Sequence, residues 1–174
     1  MNPPTSPESS WTSTVADLWQ AEGMSKEIAN AYRISGENFV ALAKSLSDSQ
    51  MASAPANGEW SPAYIVHHMS DAEAFFTTRF MRILSEENPT IEPFDEEVFP
   101  ARLNYAARSA SASLALIEGA RRASADLLES LDENAWNRKG THSERGEFPL
   151  HAAVALATGH IEAHQRQLEE TLKG

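Results

Sequence analysis

Four long segments of the chain have apolar residues spaced three or four positions apart, and this spacing limits the fold more than any other feature. Because an α-helix repeats every 3.6 residues, such side chains fall on one face of a helix. We find neither the strict alternation of a half-buried β-strand nor an internal repeat. The pattern predicts an all-α fold, a four-helix bundle. Its long helices are expected at about 25–47, 61–87, 109–131 and 149–172.

Capping residues and prolines indicate where the helices begin and end. Ser61 is a suitable N-cap for the second long helix, and Pro62 falls at its first position, where a missing N–H costs nothing. The Asn88-Pro89 pair is expected to end that helix. Residues 101–108 are a candidate extension of the third helix. The other polar or proline-containing segments are predicted to be loops: 51–59, 88–100 and 132–147.

The N-terminal segment differs in composition from the rest of the chain. Residues 1–10 are rich in Pro and Ser and are predicted to form a disordered lead. Trp11, Val15 and Leu18 then predict a short extra helix ahead of the bundle. We therefore expect residues 11–174 to form a single domain.

Composition excludes several classes of protein. The chain has 14 basic and 25 acidic residues, a formal net charge of −11, which argues against binding to nucleic acid or to anionic membranes. It has no cysteine, which rules out a disulfide framework, a thiolate metal site and a cysteine nucleophile. No segment approaches the roughly 18 apolar residues of a membrane helix, and no secretory leader is recognised. A cytoplasmic protein is expected.

Three histidines fall on the apolar stripes of the predicted helices. His160 and His164 are one turn apart in the fourth helix, and His68 lies on the inward stripe of the second. If these helices are neighbours, the three imidazoles form a cluster with an open position, as in a catalytic divalent-metal site. The alternative is that each is a core histidine satisfied by a hydrogen bond, since buried polar groups need partners. Spacing alone leaves both interpretations open.

Two motifs around these histidines resemble a known family. The stretch NGEWSPAYIVHHMSDAE has the W-S-x6-H-x2-D/A-x-E pattern that opens the second helix of the DinB/YfiT-like superfamily. The stretch GHIEAHQRQL is similar to that family's closing H-x3-H-x2-Q motif. The intervening KGTHSERGEFPL resembles the loop before the fourth helix in many members. Many members also carry a histidine where this chain has Ala163, so any role of that residue is missing here. The resemblance covers about residues 25–172.

The resemblance implies a metal site and a set of possible reactions. It assigns His68, His160 and His164 as ligands of one divalent ion, zinc, nickel or iron, and it implies a homodimer. It further implies an enzyme acting on a small molecule, either a transferase or isomerase that uses an external low-molecular-weight thiol, or a hydrolase. Without cysteine, the chain would need that thiol from a cosubstrate. The alternative is a non-catalytic, metal-containing bundle that acts as a binding or stress-response module.

Four residues are weaker candidates for supporting roles near the predicted site. Asp71 is one turn from His68 and is placed to orient its ring. Gln167 follows His164 by one turn and is expected to hydrogen-bond near the site, while Tyr64 is expected to line the pocket. His142 is a candidate acid or base from the loop before the fourth helix, although a solvated loop side chain is the favoured interpretation.

The remaining histidines and one acidic segment are predicted to lie outside the site. His67 points about 100° away from His68 on the same helix and is expected to be solvated. His151 is expected to be structural or exposed. The acidic run FDEEVF, 94–99, is expected to be a solvated loop, because nothing in its spacing arranges several oxygens around one cation.

Overall fold

A computed structural model describes residues 24–56 and 58–173. The predicted disordered lead and the short extra helix over 11–23 lie outside the described residues. Within the described part the elements follow in the order α1 (Met24–Lys44), α2 (Asp48–Ala52), α3 (Pro62–Ser85), β1 (Thr90–Ile91), α4 (Phe99–Arg102), α5 (Ala110–Glu129), α6 (Glu133–Trp136), β2 (Lys139–His142), β3 (Gly146–Pro149) and α7 (Leu150–Thr171). Short 3-10 turns cover Glu96–Val98 and Tyr105–Ala107.

The four predicted long helices are present as α1, α3, α5 and α7, and they form the expected four-helix bundle. α1 and α3 each pack against both α5 and α7, so the order around the bundle is α1, α5, α3, α7. The second and fourth long helices are therefore neighbours, as the histidine cluster requires. None of the helices in the described ranges is both long and apolar enough to cross a membrane.

Local sequence signals explain where most of these helices begin. The Ser61 hydroxyl accepts a hydrogen bond from the backbone N–H of Tyr64, which satisfies one of the unpaired donors at the start of α3. α5 begins at Ala110 because the Ser109 hydroxyl caps it in the same way. The predicted extension of α5 over 101–108 is wrong, since Asn104 adopts a left-handed conformation that breaks the helix.

The core contains two apolar clusters and a buried polar network. The pair at its centre is Arg121 of α5 and Glu73 of α3, whose Nε and Oε1 atoms are 2.7 Å apart. Arg121 also donates to the backbone oxygens of Tyr32 in α1 and Ala157 in α7, at 2.9 and 2.7 Å. One side chain of α5 thus contacts all three other long helices. Removing one partner from such a buried pair typically costs about 3–5 kcal/mol.

A small three-stranded sheet covers one end of the bundle, and sequence reasoning missed it. β1 runs parallel to β2, with Ile91 opposite His142, and β2 pairs antiparallel with β3. The predicted loop over 132–147 is therefore largely α6, β2 and the turn into β3. These strands are two to four residues long, too short to show an alternation that a sequence pattern would detect.

Two other predicted loops also contain regular structure. The helix α2 extends to Ala52 and therefore includes the first residues of the predicted loop 51–59. It begins with a capping box, in which the side chains of Ser47 and Gln50 each bond to the other's backbone N–H. The connection 88–100 holds β1 and the first 3-10 turn. This connection passes beside the predicted histidine cluster.

Candidate metal centre

The structure brings together the three histidines that the sequence singled out. His68 extends from α3, and His160 and His164 extend from α7, where the two helices pack. The Nε2 atoms of His68 and His160 are 3.0 Å apart. One ring nitrogen from each of the three residues lies within 4.8 Å of the others. Within the described residues these three form a group with metal-ligand spacing.

Burial keeps the three imidazoles neutral at pH 7. Loss of hydration lowers the pKa of His68 to about 3, assisted by the nearby His164. Burial likewise holds the pKa of His160 well below its usual range, with His164 and His68 adding to the effect. Burial also lowers the pKa of His164. Since a metal ligand must be the neutral imidazole, the cluster is in the correct protonation state without any prior loss of protons.

Gln167 orients one member of the cluster. Its Oε1 atom is 2.8 Å from Nδ1 of His164. This contact is a hydrogen bond when Nδ1 carries the proton and donates it, which leaves Nε2 of the same ring with a free lone pair. The predicted position of Gln167 next to the site is confirmed. Partners of this kind fix the tautomer and the ring orientation of metal-binding histidines.

Aromatic side chains enclose the cluster. The indole of Trp60 stacks on the His164 ring with an interplanar angle of 6° and lies 5.2 Å from the His68 ring, centroid to centroid. The Phe76 ring meets His160 edge-on at 5.8 Å. These contacts hold the imidazoles in place and reduce the access of water, which strengthens electrostatic interactions at the site.

Asp71 and His67 make contacts within the fold that differ from those predicted for them. The Asp71 carboxylate accepts hydrogen bonds from Tyr105 and Arg108 at 2.9 and 2.7 Å, so it does not orient His68 as predicted. The prediction of a solvated His67 is wrong: the ring is buried, and its Nδ1 lies 2.9 Å from the Ser113 hydroxyl of α5. Helical spacing gave its direction correctly, but a neighbouring helix covers that face.

The contacts seen for the other secondary candidates are with residues outside the cluster. His142 is buried on β2, where its Nδ1 accepts a hydrogen bond from the backbone of Glu144, so the favoured interpretation of a solvated loop residue is wrong. Tyr64 packs edge-on against Tyr105. His151 is half-buried in the first turn of α7, consistent with a structural role.

Glu96 is the residue that sequence reasoning missed. It belongs to the acidic segment 94–99, predicted to be a solvated loop, yet its Oε2 lies 3.3 Å from Nε2 of His68 and 3.9 Å from Nε2 of His160. Only about a quarter of its side chain is exposed. The aromatic residues that flank the acidic run were the available signal, because they give such a segment something to bury.

The donor set suits a divalent transition metal. Three converging neutral imidazoles with a carboxylate nearby form the nitrogen and oxygen environment that zinc, nickel and iron accept. A hydrogen bond between Nε2 of His68 and Nε2 of His160 accounts for two of the converging ring nitrogens but not for the third, from His164. The residues therefore fit a metal better than they fit a closed hydrogen-bonded core.

Comparison with known proteins identifies the family. A model of the DinB superfamily matches residues 31–168. A protein of Bacillus cereus is 31% identical over 130 residues, which are 75% of each chain. A protein of Geobacillus thermodenitrificans is 31% identical over 153 residues, 86% of this chain and 84% of the relative. Both relatives are described as candidate metal-dependent hydrolases.

Two solved structures share the fold. YfiT from Bacillus subtilis, described as a candidate metal-dependent hydrolase with an unusual four-helix-bundle topology, superposes with a TM-score of 0.77 at 23% identity over 88% of each chain. A mycothiol-dependent maleylpyruvate isomerase superposes with a TM-score of 0.66 at 13% identity, over 83% of this chain and 60% of that one. At these identities the likeness concerns the fold alone. From the family model and the relatives together, we conclude that this chain belongs to the DinB superfamily and has a YfiT-like four-helix bundle.

Proposed function

We propose that this protein is a metal-dependent hydrolase in which His68, His160 and His164 bind one divalent cation. The observation that carries the proposal is the convergence of three neutral imidazoles from α3 and α7, of which His68 is buried and the other two are half-buried. The description of the relatives at 31% identity as candidate metal-dependent hydrolases supports it.

The chain's own residues would prepare the site. A divalent cation bound there supplies Lewis acidity, which lowers the pKa of a coordinated water or thiol and polarises a substrate carbonyl. Burial keeps the imidazoles neutral, Gln167 sets the orientation of His164, and the rings of Trp60 and Phe76 limit access of bulk water. These contacts place the ligands before substrate arrives, which avoids reorganisation during the reaction.

The metal content of purified protein is the first test. We expect about one divalent ion per chain in the wild type, and loss of most of it in His68→Ala, His160→Ala and His164→Ala, because a three-ligand site has no spare donor. His151→Ala is the matched control and should keep its metal. Chelation should lower the melting temperature of the wild type and leave that of His160→Ala unchanged. Wild-type protein that binds no metal would contradict the proposal.

A substrate screen of the metal-loaded protein tests the reaction. We expect hydrolysis of ester or amide substrates that is lost in His160→Ala. The thiol-dependent chemistry implied by the family resemblance predicts instead that turnover requires an added low-molecular-weight thiol, since the chain supplies none. Full metal content with no turnover in either arm would favour the non-catalytic binding module.

We also propose that the chain is a single domain that forms a homodimer. The proposed substrate is a small molecule, and the proposed location is the cytoplasm. The net charge of −11 supports the absence of a nucleic-acid partner. Light scattering coupled to size-exclusion chromatography tests the dimer, and a monomeric mass would contradict it.

A further inference from the structure

One long side of the bundle, formed by α3 and α5, presents uncharged and mostly apolar side chains to solvent. Six exposed residues define this side, which we call the α3–α5 face: Ala74, Thr78 and Met81 on α3, and Leu116, Ala123 and Leu127 on α5. The three large members, Met81, Leu116 and Leu127, are 50%, 44% and 38% exposed. Large apolar side chains that are exposed together on one surface, and not singly, are typical of a protein–protein contact.

A contact between the two helices makes this face continuous. The hydroxyls of Thr77 on α3 and Ser124 on α5 are 3.3 Å apart. Ala74 and Met81 lie one turn before and one turn after Thr77. Leu127 lies one turn after Ser124. Helical spacing therefore places the exposed residues of the two helices side by side, along the outer edge of the same helix–helix contact.

Charge distinguishes the α3–α5 face from the opposite side of the bundle. The groove between α1 and α7 is lined by residues that include Glu27, Glu162, Arg166 and Glu169. None of the six residues of the α3–α5 face is charged, although the chain as a whole has a net charge of −11. Two chains this acidic repel one another where their charged surfaces approach, so we expect copies to meet at an uncharged side.

The size and relief of the face suit contact between two copies. α5 has 20 residues and is therefore about 30 Å long, and two packed helices are about 20 Å wide. The resulting footprint of about 600 Å² approaches the roughly 800 Å² that each partner buries in a standard interface. Ala74 and Ala123 lie near the middle of the face, where small side chains allow close approach of another helix. The larger Met81, Leu116 and Leu127 lie towards its ends and can pack around that approach.

We propose that the α3–α5 face is the surface through which a second copy of this chain binds. A two-fold axis through the face brings the same residues of both copies together, which is the usual arrangement in a homodimer. The inference rests on the homodimer proposed above and adds where the subunits meet. The histidine cluster lies between α3 and α7, on another side of α3, so the contact leaves it uncovered.

The mass of charged variants in solution tests the assignment. We would compare wild type, Leu116→Glu, Ala123→Glu and Ile34→Glu by light scattering coupled to size-exclusion chromatography over a dilution series. Ile34→Glu is the matched control, because Ile34 is also 45% exposed but lines the α1–α7 groove. We expect dimers for wild type and Ile34→Glu. The other two variants should have a dimer dissociation constant raised roughly 100-fold or more, because the two-fold axis brings like charges together in the contact.

A chemical cross-link provides a second, independent measurement. The chain has no cysteine, so Ala123→Cys introduces a single thiol. A short bifunctional maleimide should join Ala123→Cys into covalent dimers, seen by denaturing gel electrophoresis. Glu162→Cys, on the opposite side of the bundle, is the control and should stay monomeric on the gel.

The possible outcomes separate this inference from the other proposals. A dimeric wild type with unchanged dissociation constants in Leu116→Glu and Ala123→Glu would overturn the α3–α5 face and leave the homodimer standing, as would cross-linking of Glu162→Cys in place of Ala123→Cys. A monomeric wild type would overturn both. A wild type that binds no metal would overturn the proposed hydrolase and leave this inference unaffected. All the substituted positions are exposed, so circular dichroism should show wild-type helical content in every variant.

Discussion

The tautomer of His164 depends on one side-chain hydrogen bond. Its Nδ1 meets Oε1 of Gln167 one turn along α7, and both residues are half-buried. A hydrogen bond of this kind selects the tautomer whose Nε2 can bind a cation. Because the two residues are three positions apart on one helix, the helical spacing places Gln167 where it can fix the His164 ring.

Gln167→Leu should weaken zinc binding by roughly 10- to 100-fold, because the ring would lose the partner that holds its tautomer and orientation. Isothermal titration of the metal-free protein measures this. Gln165→Leu is the matched control, since Gln165 lies on the same helix and bonds to Glu169 at 3.0 Å instead. Equal affinities for the two variants would show that Gln167 does not position the ligand.

His67→Ala should destabilise the fold without changing metal content. The buried His67 ring joins α3 to α5 through Ser113, and its loss leaves a cavity and an unpaired hydroxyl that together cost about 1–3 kcal/mol. Chemical denaturation gives the free energy of unfolding, and elemental analysis gives the metal content. A folded His67→Ala protein that had lost its metal would mean that the wrong histidine of the pair was assigned to the site.

At the scale of elements, the sheet docks through one close backbone approach. Gly140 of β2 lies so near the β1 segment that a Cβ added to it would be 2.6 Å from the carbonyl oxygen of Pro89. The next residue, Thr141, donates its N–H to that same oxygen at 2.9 Å. Glycine is therefore required at this position for β2 to pair with β1, and β2 in turn leads through β3 to the start of α7.

Gly140→Ala should lower the free energy of unfolding by about 1–3 kcal/mol, since backbone cannot move aside as a flexible side chain can. Gly119→Ala is the opposite case: Gly119 lies within α5 with open space around it, and alanine should stabilise the helix by about 0.5–1 kcal/mol. Denaturant titration of both variants measures the difference. A neutral Gly140→Ala would show that the sheet tolerates a wider strand spacing than the structure has.

At the scale of the whole molecule, burial shifts the pKa of every histidine downwards. Burial lowers the pKa of all six histidines, most strongly those of His68 and His160. Below pH 6.5 the unfolded chain therefore binds protons that the folded chain does not. Stability rises with pH wherever the unfolded state holds more protons, so this contribution is present above pH 6.5 and is lost as pH falls.

Metal-free protein should accordingly lose stability between pH 7.5 and pH 5.5, by up to about 1.4 kcal/mol per pH unit for each histidine that stays neutral in the fold. Denaturant titrations at pH 7.5, 6.5 and 5.5 give the free energies of unfolding. A constant value across the series would indicate that the histidines are protonated equally in the folded and unfolded states.

The periodic and local features of the fold were predictable from sequence. The four long helices follow from the spacing of apolar residues, and the start of α3 follows from Ser61 and Pro62. The inward placement of His68, His160 and His164 follows from the same helical period. These predictions succeeded because a helix is specified by contacts between residues three or four apart, which the sequence displays directly.

Tertiary structure alone decided the remaining features. The burial of His67, the use of Asp71 by Tyr105 and Arg108, the three-stranded sheet and the approach of Glu96 all depend on contacts between residues far apart in the chain. The direction of a side chain on its own helix does not say which neighbouring element covers it. Sequence periodicity thus determined the four long helices and the shared inward position of His68, His160 and His164. Packing determined which other helix faces are covered and by which partners, because burial is a property of the assembled surfaces and not of any single helix.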